Sequence, residues 1–142
     1  MTRAGAVALV QGLHAIWNTG DLAAIPAVYA PDFVAHFPKG WGEPPGHRNG
    51  HAGIAAAVTR IRAAFPDWRE DIEDIVFEGD RIVVRYVSTG TQDGAFLGRL
   101  PNGARVRVDE ISIFRIADGR IVEQWCLVDD LALFKQLDQG GT

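Results

Sequence analysis

A single carboxylate in the second half of the chain has surroundings that could make it a proton-transfer group. Glu110 lies between Val108 and Ile111, in a predicted strand whose second half is apolar. A carboxyl that faces an apolar pocket has a raised pKa, which suits it to moving a proton beside a carbonyl group. If Glu110 points outward instead, it pairs with a cation such as Arg107. Glu110 is the candidate acid/base of the chain.

The chain contains one cysteine, Cys126, near the end of its last predicted strand. A single cysteine cannot form an internal disulfide, which fits a reducing compartment. One interpretation is a small buried hydrophobic residue, because free cysteines commonly behave in this way. The other is a thiol that lines a pocket near a helix N-terminus, where its pKa could be lowered. A nucleophilic role also requires a base, which the sequence alone does not identify.

The histidine spacing in the first half of the chain does not form a metal motif. His47 and His51 are four residues apart, but Gly46 and Gly50 oppose a helix that presents both. The segment GEPPGHRNG does not match a phosphate loop or a dinucleotide fingerprint. We therefore expect neither a metal nor a cofactor.

Length and charge limit the classes of protein to consider. The chain has 142 residues, 47% of them hydrophobic, and a net charge of −4. These values predict one soluble globular domain, residues 1–142, and oppose nucleic-acid binding. The apolar start of the chain is too short to span a membrane and lacks a convincing signal-peptide cleavage site. We expect a cytoplasmic protein.

The elements that must position these groups begin with helices. Apolar residues recur at helical spacing over residues 4–18, which predicts an amphipathic helix. A second helix over residues 22–30 should be kinked or split, because Pro26 lies past its first turn. A third helix ends at Pro66 and follows a loop, residues 38–50, whose glycines and prolines exclude regular structure. Its predicted buried face is formed by Ile54, Val58, Ile61 and Phe65.

Strands follow in an antiparallel meander. Turn signals at Gly79 and Asp118 predict two hairpins, and Asp129 and Asp130 suit the N-terminus of a closing helix. The predicted strands cover residues 33–37, 68–77, 81–88, 104–116 and 121–128. In strand 104–116 the alternation of apolar residues breaks at Asp109 and Glu110. A β-bulge, or a change from a half-exposed to a fully buried strand, would explain this break.

Three segments resemble the SnoaL-like polyketide cyclases, a branch of the superfamily that includes ketosteroid isomerase and nuclear transport factor two. They are GDLAAIPAVYAPDFVAH, AAFPDWREDIEDIVFEGDRIVVRYVSTGT and the long stretch from Phe96 to Leu137 that begins FLGRLPNG. The resemblance implies a cone-shaped α+β fold. A strongly curved mixed or antiparallel sheet would wrap around three helices, with a short C-terminal helix. It also implies a homodimer through the outer sheet face.

The resemblance implies an enclosed apolar pocket and its lining. His36 ends the strand that enters the pocket in this family, so it is a candidate base or hydrogen-bond donor to a ligand oxygen. The other interpretation is a histidine at the pocket rim whose hydrogen bonds are satisfied within the protein. With Glu110 and Cys126, His36 completes the predicted catalytic set. The predicted substrate-binding residues are Trp17, Phe33, Trp41, Trp68, Tyr86, Ser112, Phe114 and Gln124.

Two positions depart from the cyclase pattern. The cyclase acid/base Asp falls on Cys126, and an assisting His falls near Ser112. We therefore expect a cofactor-free cyclase or isomerase that moves protons beside a carbonyl and binds a small apolar, aromatic or polyketide-like ligand. The alternative is a binding or accessory domain of the same fold without catalysis.

Overall fold

The structure, a computed structural model, describes residues 1–139, so the end of the predicted domain, residues 140–142, lies outside the described range. The helices and strands follow one another along the chain in the predicted order. The helices are α1 (Arg3–Thr19), α2 (Ile25–Val28), α3 (Gly50–Ala64) and α4 (Asp130–Gln139). The strands are β1 (Tyr29–His36), β2 (Arg69–Glu78), β3 (Arg81–Thr91), β4 (Arg105–Ala117) and β5 (Arg120–Val128).

Local sequence signals define both ends of α1. The Thr2 hydroxyl accepts a hydrogen bond from the Gly5 backbone N–H at 3.0 Å, which caps the start. Gly20 ends the helix with a φ of 75°, a conformation that glycine adopts without strain. The predicted apolar face is buried, and it includes one histidine. Its buried residues are Ala6, Val10, Leu13, His14, Ile16 and Trp17.

The segment around Pro26 is split as predicted. A 3₁₀ turn, Leu22–Ala24, precedes the four-residue helix α2, where Pro26 occupies an early position that needs no backbone N–H. The predicted helix end at Ala30 is wrong, because β1 already begins at Tyr29. At the other end of the chain Asp129 caps α4, since its carboxylate accepts from the Ala132 N–H at 3.2 Å.

The sheet is mixed and runs in the order β1-β5-β4-β3-β2. The first strand pairs parallel to the last strand, and the remaining neighbours are antiparallel. Helices α1 and α3 pack against β2 and β1, so the core lies between these helices and the inner face of the sheet. The curved α+β fold expected from the sequence is confirmed.

The β-bulge or change in burial predicted at Asp109 and Glu110 of β4 is wrong. Its register against β3 is continuous from Arg105 to Arg115, and the even-numbered residues from 106 to 116 are all buried. Ile111 and Ile113 lie on the outer face and are 45% and 40% exposed. The sequence pattern gave a wrong prediction because these two side chains are apolar and yet exposed. Strict alternation places Glu110 on the inner face.

Candidate active site

A small cavity lies on the inner face of the sheet, below the loop that connects β1 to α3. Its volume is about 20 Å³, room for about one water molecule. Side chains from α1, α3, the loop and four strands surround it. They are Leu13, His14, Trp17, Phe37, Trp41, Arg48, Ile61, Trp68, Glu70, Tyr86, Glu110 and Gln124. Wider clefts exist at the surface, but this cavity is where buried ionisable groups converge.

A buried histidine–carboxylate pair forms one wall of the cavity. The Nδ1 atom of His14 lies 2.6 Å from Oε1 of Glu70, and the two side chains are 4% and 8% exposed. Trp68 holds the second carboxylate oxygen by donating its indole N–H to Oε2 at 2.9 Å. The other ring nitrogen of His14, Nε2, is buried and has no hydrogen-bond partner among residues 1–139. In the neutral imidazole this arrangement places the proton on Nδ1 and the lone pair on Nε2.

The backbone of Glu70 is fixed to α1 by one side chain. The Asn18 amide oxygen accepts from the Glu70 N–H at 2.6 Å, and the Asn18 amide nitrogen donates to the Glu70 carbonyl at 3.1 Å. Arg62 of α3 adds a second connection, because its Nη1 donates to the carbonyls of Trp17 and Trp68. These contacts hold α1 and the start of β2 at a constant distance, so the His14–Glu70 pair is preorganised.

Glu110 enters the cavity from β4. It is 7% exposed and accepts hydrogen bonds from the Ser88 hydroxyl and, at 3.8 Å, from the Cys126 thiol. Burial, and after it the negative charge of Glu70, together raise the pKa of Glu110 from 4.5 to about 8. The carboxyl is therefore mostly protonated at neutral pH, in the state that donates rather than accepts a proton.

Behind Glu110, four polar side chains form a connected network. The Tyr86 hydroxyl lies 3.1 Å from Ser112 Oγ and 3.6 Å from Cys126 Sγ, and Gln124 donates to Ser112 Oγ at 3.0 Å. Burial raises the pKa of the Cys126 thiol, and the charge of Glu110 adds to this effect. The possibility that a helix N-terminus lowers this pKa is therefore wrong. A neutral thiol at this position is a poor nucleophile.

The structure brings six of the eleven predicted site residues to the cavity wall: Trp17, Trp41, Trp68, Tyr86, Glu110 and Gln124. Ser112 and Cys126 lie directly behind that wall, as does Phe114, whose ring centroid is 6.5 Å from that of His14. Phe33 is buried but packs against Tyr29 rather than lining the cavity.

His36 is not brought to the cavity. Its side chain is 47% exposed, pairs with Glu123 at 2.8 Å and stacks on Trp125 at a centroid distance of 5.3 Å. Successive residues of a strand point to opposite faces, and Phe33 is the inward residue three positions earlier, so His36 points outward. We therefore do not carry its predicted catalytic role forward.

Three buried charged or titratable residues were missed from the sequence: His14, Glu70 and Arg48. A signal existed for two of them. His14 lies four residues after Val10 and three before Trp17, on the apolar stripe of α1. Glu70 lies two residues after Trp68 in a strand, so the two share a face. Arg48 lies in an irregular loop and carries no such periodic signal.

Two features are absent from residues 1–139. None of the helices in this range is both long enough and apolar enough to cross a membrane. Within the same range there is no group of three or more His, Cys, Asp or Glu side chains arranged to hold a metal ion.

Three solved structures similar to this chain come from bacteria. TsrD from Streptomyces laurentii is 30% identical over 100% of this chain and 99% of its own, with a TM-score of 0.86. IdmH from Streptomyces antibioticus is 33% identical over 93% and 97%, with a TM-score of 0.81. A candidate polyketide cyclase from Acidithiobacillus ferrooxidans is 26% identical over 99% of both chains, with a TM-score of 0.84. A comparison with curated proteins gave no significant match.

The sequence profile of one family matches nearly the whole chain. The SnoaL-like polyketide cyclase profile covers residues 7–137, which include most of α1, most of α4 and every element between them. The profile match and the similar structures confirm the resemblance to SnoaL-like polyketide cyclases that the sequence segments indicated. The chain belongs to the SnoaL-like polyketide cyclase family.

Proposed function

We propose that this protein is a cofactor-free enzyme that removes a proton beside a carbonyl group of a polyketide-like substrate and promotes its cyclisation or isomerisation. The observation that carries the proposal is the unpartnered Nε2 atom of His14. A buried polar atom without a partner is rare in folded proteins and requires an explanation. Here the atom belongs to a cavity-lining side chain, and a carboxylate is bound to the opposite ring nitrogen.

In the proposed reaction His14 is the base and Glu110 is the acid. Nε2 removes a proton from the carbon beside the carbonyl, and Glu70 stabilises the resulting imidazolium. The enolate carbon then forms a bond with a second carbonyl carbon, and the alkoxide oxygen takes the proton of Glu110. Loss of the imidazolium proton to solvent and uptake of one proton by Glu110 restore both groups. The proposed reaction requires an unprotonated base, His14, and a protonated acid, Glu110, in the same cavity.

The aromatic walls suit a small apolar or aromatic ligand. Trp17, Trp41 and Trp68 all line the cavity, and they can hold a flexible chain in a reactive conformation. A volume of about 20 Å³ is too small for such a ligand, so the covering loop must move for it to enter. Trp41 ties this loop to α4 by donating its indole N–H to Asp130 at 2.7 Å.

The test is proton exchange in D₂O. Poly-β-carbonyl esters are incubated with the protein, and mass spectrometry measures deuterium at the carbon beside the carbonyl together with cyclised product. We expect enzyme-dependent exchange that His14→Gln abolishes. Exchange at the same rate with and without His14 would contradict the proposal.

A second candidate function is ligand binding without turnover. Its supporting observation is that the position of the cyclase Asp carries Cys126, whose thiol is kept neutral by burial. If an aromatic ligand raises the melting temperature while no substrate exchanges deuterium, binding is the function.

We also propose a homodimer through the outer face of the sheet. An outward-facing row crosses this face, because Val76 pairs with Val83, Val83 with Ile113 and Ile113 with Trp125. Leu127, in the next row, is 76% exposed. An exposed apolar surface of this kind is typical of an interface, and a second copy would bury it.

A further inference from the structure

Arg48 is a buried cation in the wall of the cavity. It is 5% exposed, although it lies in the irregular loop between β1 and α3. An arginine side chain remains charged at every physiological pH, and a buried charge is costly unless it is paired. Its surroundings therefore indicate what kind of group it is built to hold.

Two of the guanidinium nitrogens are bound to one carboxylate. Nε and Nη2 of Arg48 donate to Glu43 at 2.8 and 2.9 Å. The remaining nitrogen, Nη1, takes no part in this contact with Glu43. Aromatic rings lie on the flat face of the cation, since its carbon is 4.1 Å from the centroid of Phe37 and 5.4 Å from that of Trp41. A guanidinium in this setting is suited to hold an oxyanion attached to an apolar body.

Glu43 is a partner that Arg48 can exchange. Its side chain is 20% exposed, and a second cation, Arg60 of α3, lies 3.6 Å from it. When a competing anion enters the cavity, Arg60 continues to neutralise Glu43. Arg48 can then turn toward the anion without leaving an unpaired buried charge.

The backbone of Arg48 is fixed even though its side chain can exchange partners. Gly53, in the first turn of α3, lies so close that a Cβ atom there would be 2.5 Å from the Arg48 carbonyl carbon. Only glycine permits this approach. The end of the loop next to α3 therefore presents Arg48 from a constant position, as a binding residue must be presented.

The charge on Arg48 reaches the other ionisable groups of the cavity. It opposes the rise in the pKa of Glu110 and lies in the same wall as His14 and Glu70. Proton abstraction by His14 would create an enolate beside an imidazolium that Glu70 already neutralises. A second positive charge would be required for the enolate oxygen, and among the described residues that line the cavity Arg48 carries it.

We infer that Arg48 is an anion-binding residue that selects ligands with a carboxylate or ionised enol oxygen on an aromatic or apolar body, and that it exchanges Glu43 for that oxygen. The enolate part of this inference rests on the proposed function. Selection of an anionic ligand does not, because it requires binding only.

The experiment compares two ligands of nearly equal shape, 2-naphthoate and 2-naphthamide, by titration calorimetry of the whole protein at pH 7. We expect the wild type to bind the anion about tenfold more tightly than the amide, as a charge-assisted hydrogen bond would give. Arg48→Met should remove this preference, and Arg48→Lys should keep part of it. Arg120→Gln is the matched control, since it removes an exposed cation at the start of β5 that does not line the cavity, and it should leave the preference in place.

A second variant guards against misfolding of Arg48→Met. Glu43→Gln removes the competing carboxylate and leaves Arg48 intact, so it should tighten naphthoate binding several-fold. The inference is overturned if neither ligand binds, if the wild type does not prefer the anion, or if the preference is unchanged in Arg48→Met and in Glu43→Gln. His14→Gln separates the two proposals, because it should abolish proton exchange and retain the preference for naphthoate.

Discussion

The Nδ1 atom of His14 lies 2.6 Å from Oε1 of Glu70, although the two residues are 56 positions apart in the chain. The contact joins α1 to β2, and it leaves the other ring nitrogen of this cavity-lining histidine buried without a hydrogen-bond partner among residues 1–139. In the proposed reaction the carboxylate fixes the tautomer and the orientation of the histidine that acts as base. The contact explains why a histidine occupies the apolar face of α1.

The first prediction concerns the base. His14→Gln should lower the rate of deuterium exchange by about 100-fold or more, which is the usual contribution of a general base. His36→Gln is the matched control, because His36 also pairs with a glutamate but lies on the outer face of the sheet. Its rate should equal that of the wild type. Equal losses in both variants would contradict the assignment of His14.

The second prediction concerns the pH dependence of stability. The folded protein raises the pKa of Glu110 from 4.5 to about 8, so between these values it holds a proton that the unfolded chain has lost. The contribution of this group to the free energy of unfolding therefore falls as pH rises through that window, by at most about 1.4 kcal/mol per pH unit.

Glu110→Gln should remove this slope. Urea unfolding at pH 5.5, 6.5 and 7.5 gives the difference between variant and wild type, in which the contributions of other groups cancel. The exposed Glu78→Gln is the control and should keep the wild-type slope. Parallel curves for Glu110→Gln and the wild type would show that Glu110 ionises normally.

The third prediction separates charged from neutral hydrogen bonds at two buried tryptophans. Trp68 donates its indole N–H to the Glu70 carboxylate, whereas Trp17 donates to the Tyr29 hydroxyl at 3.1 Å. The same change, Trp→Phe, should therefore lower the free energy of unfolding by about 1–2 kcal/mol more at position 68 than at position 17. Urea unfolding measures both, and a larger loss at Trp17 would refute the stated role of Trp68.

The fourth prediction tests the close approach of α3 to the covering loop. Gly53→Ala should destabilise the protein by about 1–3 kcal/mol, because the new Cβ meets the Arg48 backbone at 2.5 Å. Gly12→Ala should stabilise it by about 0.5–1 kcal/mol, because Gly12 lies inside α1 and the nearest atom of another element is 3.6 Å away. Thermal unfolding should shift in opposite directions for the two variants. A shift in the same direction would contradict this account.

The fifth prediction concerns assembly. Leu127→Arg places a charge on the proposed dimer face, so light scattering at micromolar concentration should show the monomer mass for this variant and twice that mass for the wild type. Leu100→Arg is the control, since Leu100 is 82% exposed in the loop between β3 and β4. A monomeric wild type would exclude the proposed interface.

Much of the fold is determined by the sequence through local patterns. The apolar stripe of α1, the split at Pro26 and the hairpin turns at Gly79 and Asp118 each depend on residues a few positions apart. The family segments then predict how these elements are arranged. Glu110 could be proposed as an acid/base from the sequence, because its apolar neighbours in the strand lie only one or two positions away.

Only the tertiary structure decided which faces are buried and which distant side chains meet. Strand β1 lies at the edge of the sheet, parallel to β5. Side chains alternate between the two faces along β1, so Phe33 is buried on the inner face and His36 lies on the outer face. Ile111 and Ile113 are apolar yet exposed, and Glu70 is charged yet buried. Hydrophobic periodicity is a short-range property, whereas the pairing of His14 with Glu70 depends on the position of α1 over β2. The chain alone therefore specifies the elements, and their packing selects the groups that face the cavity.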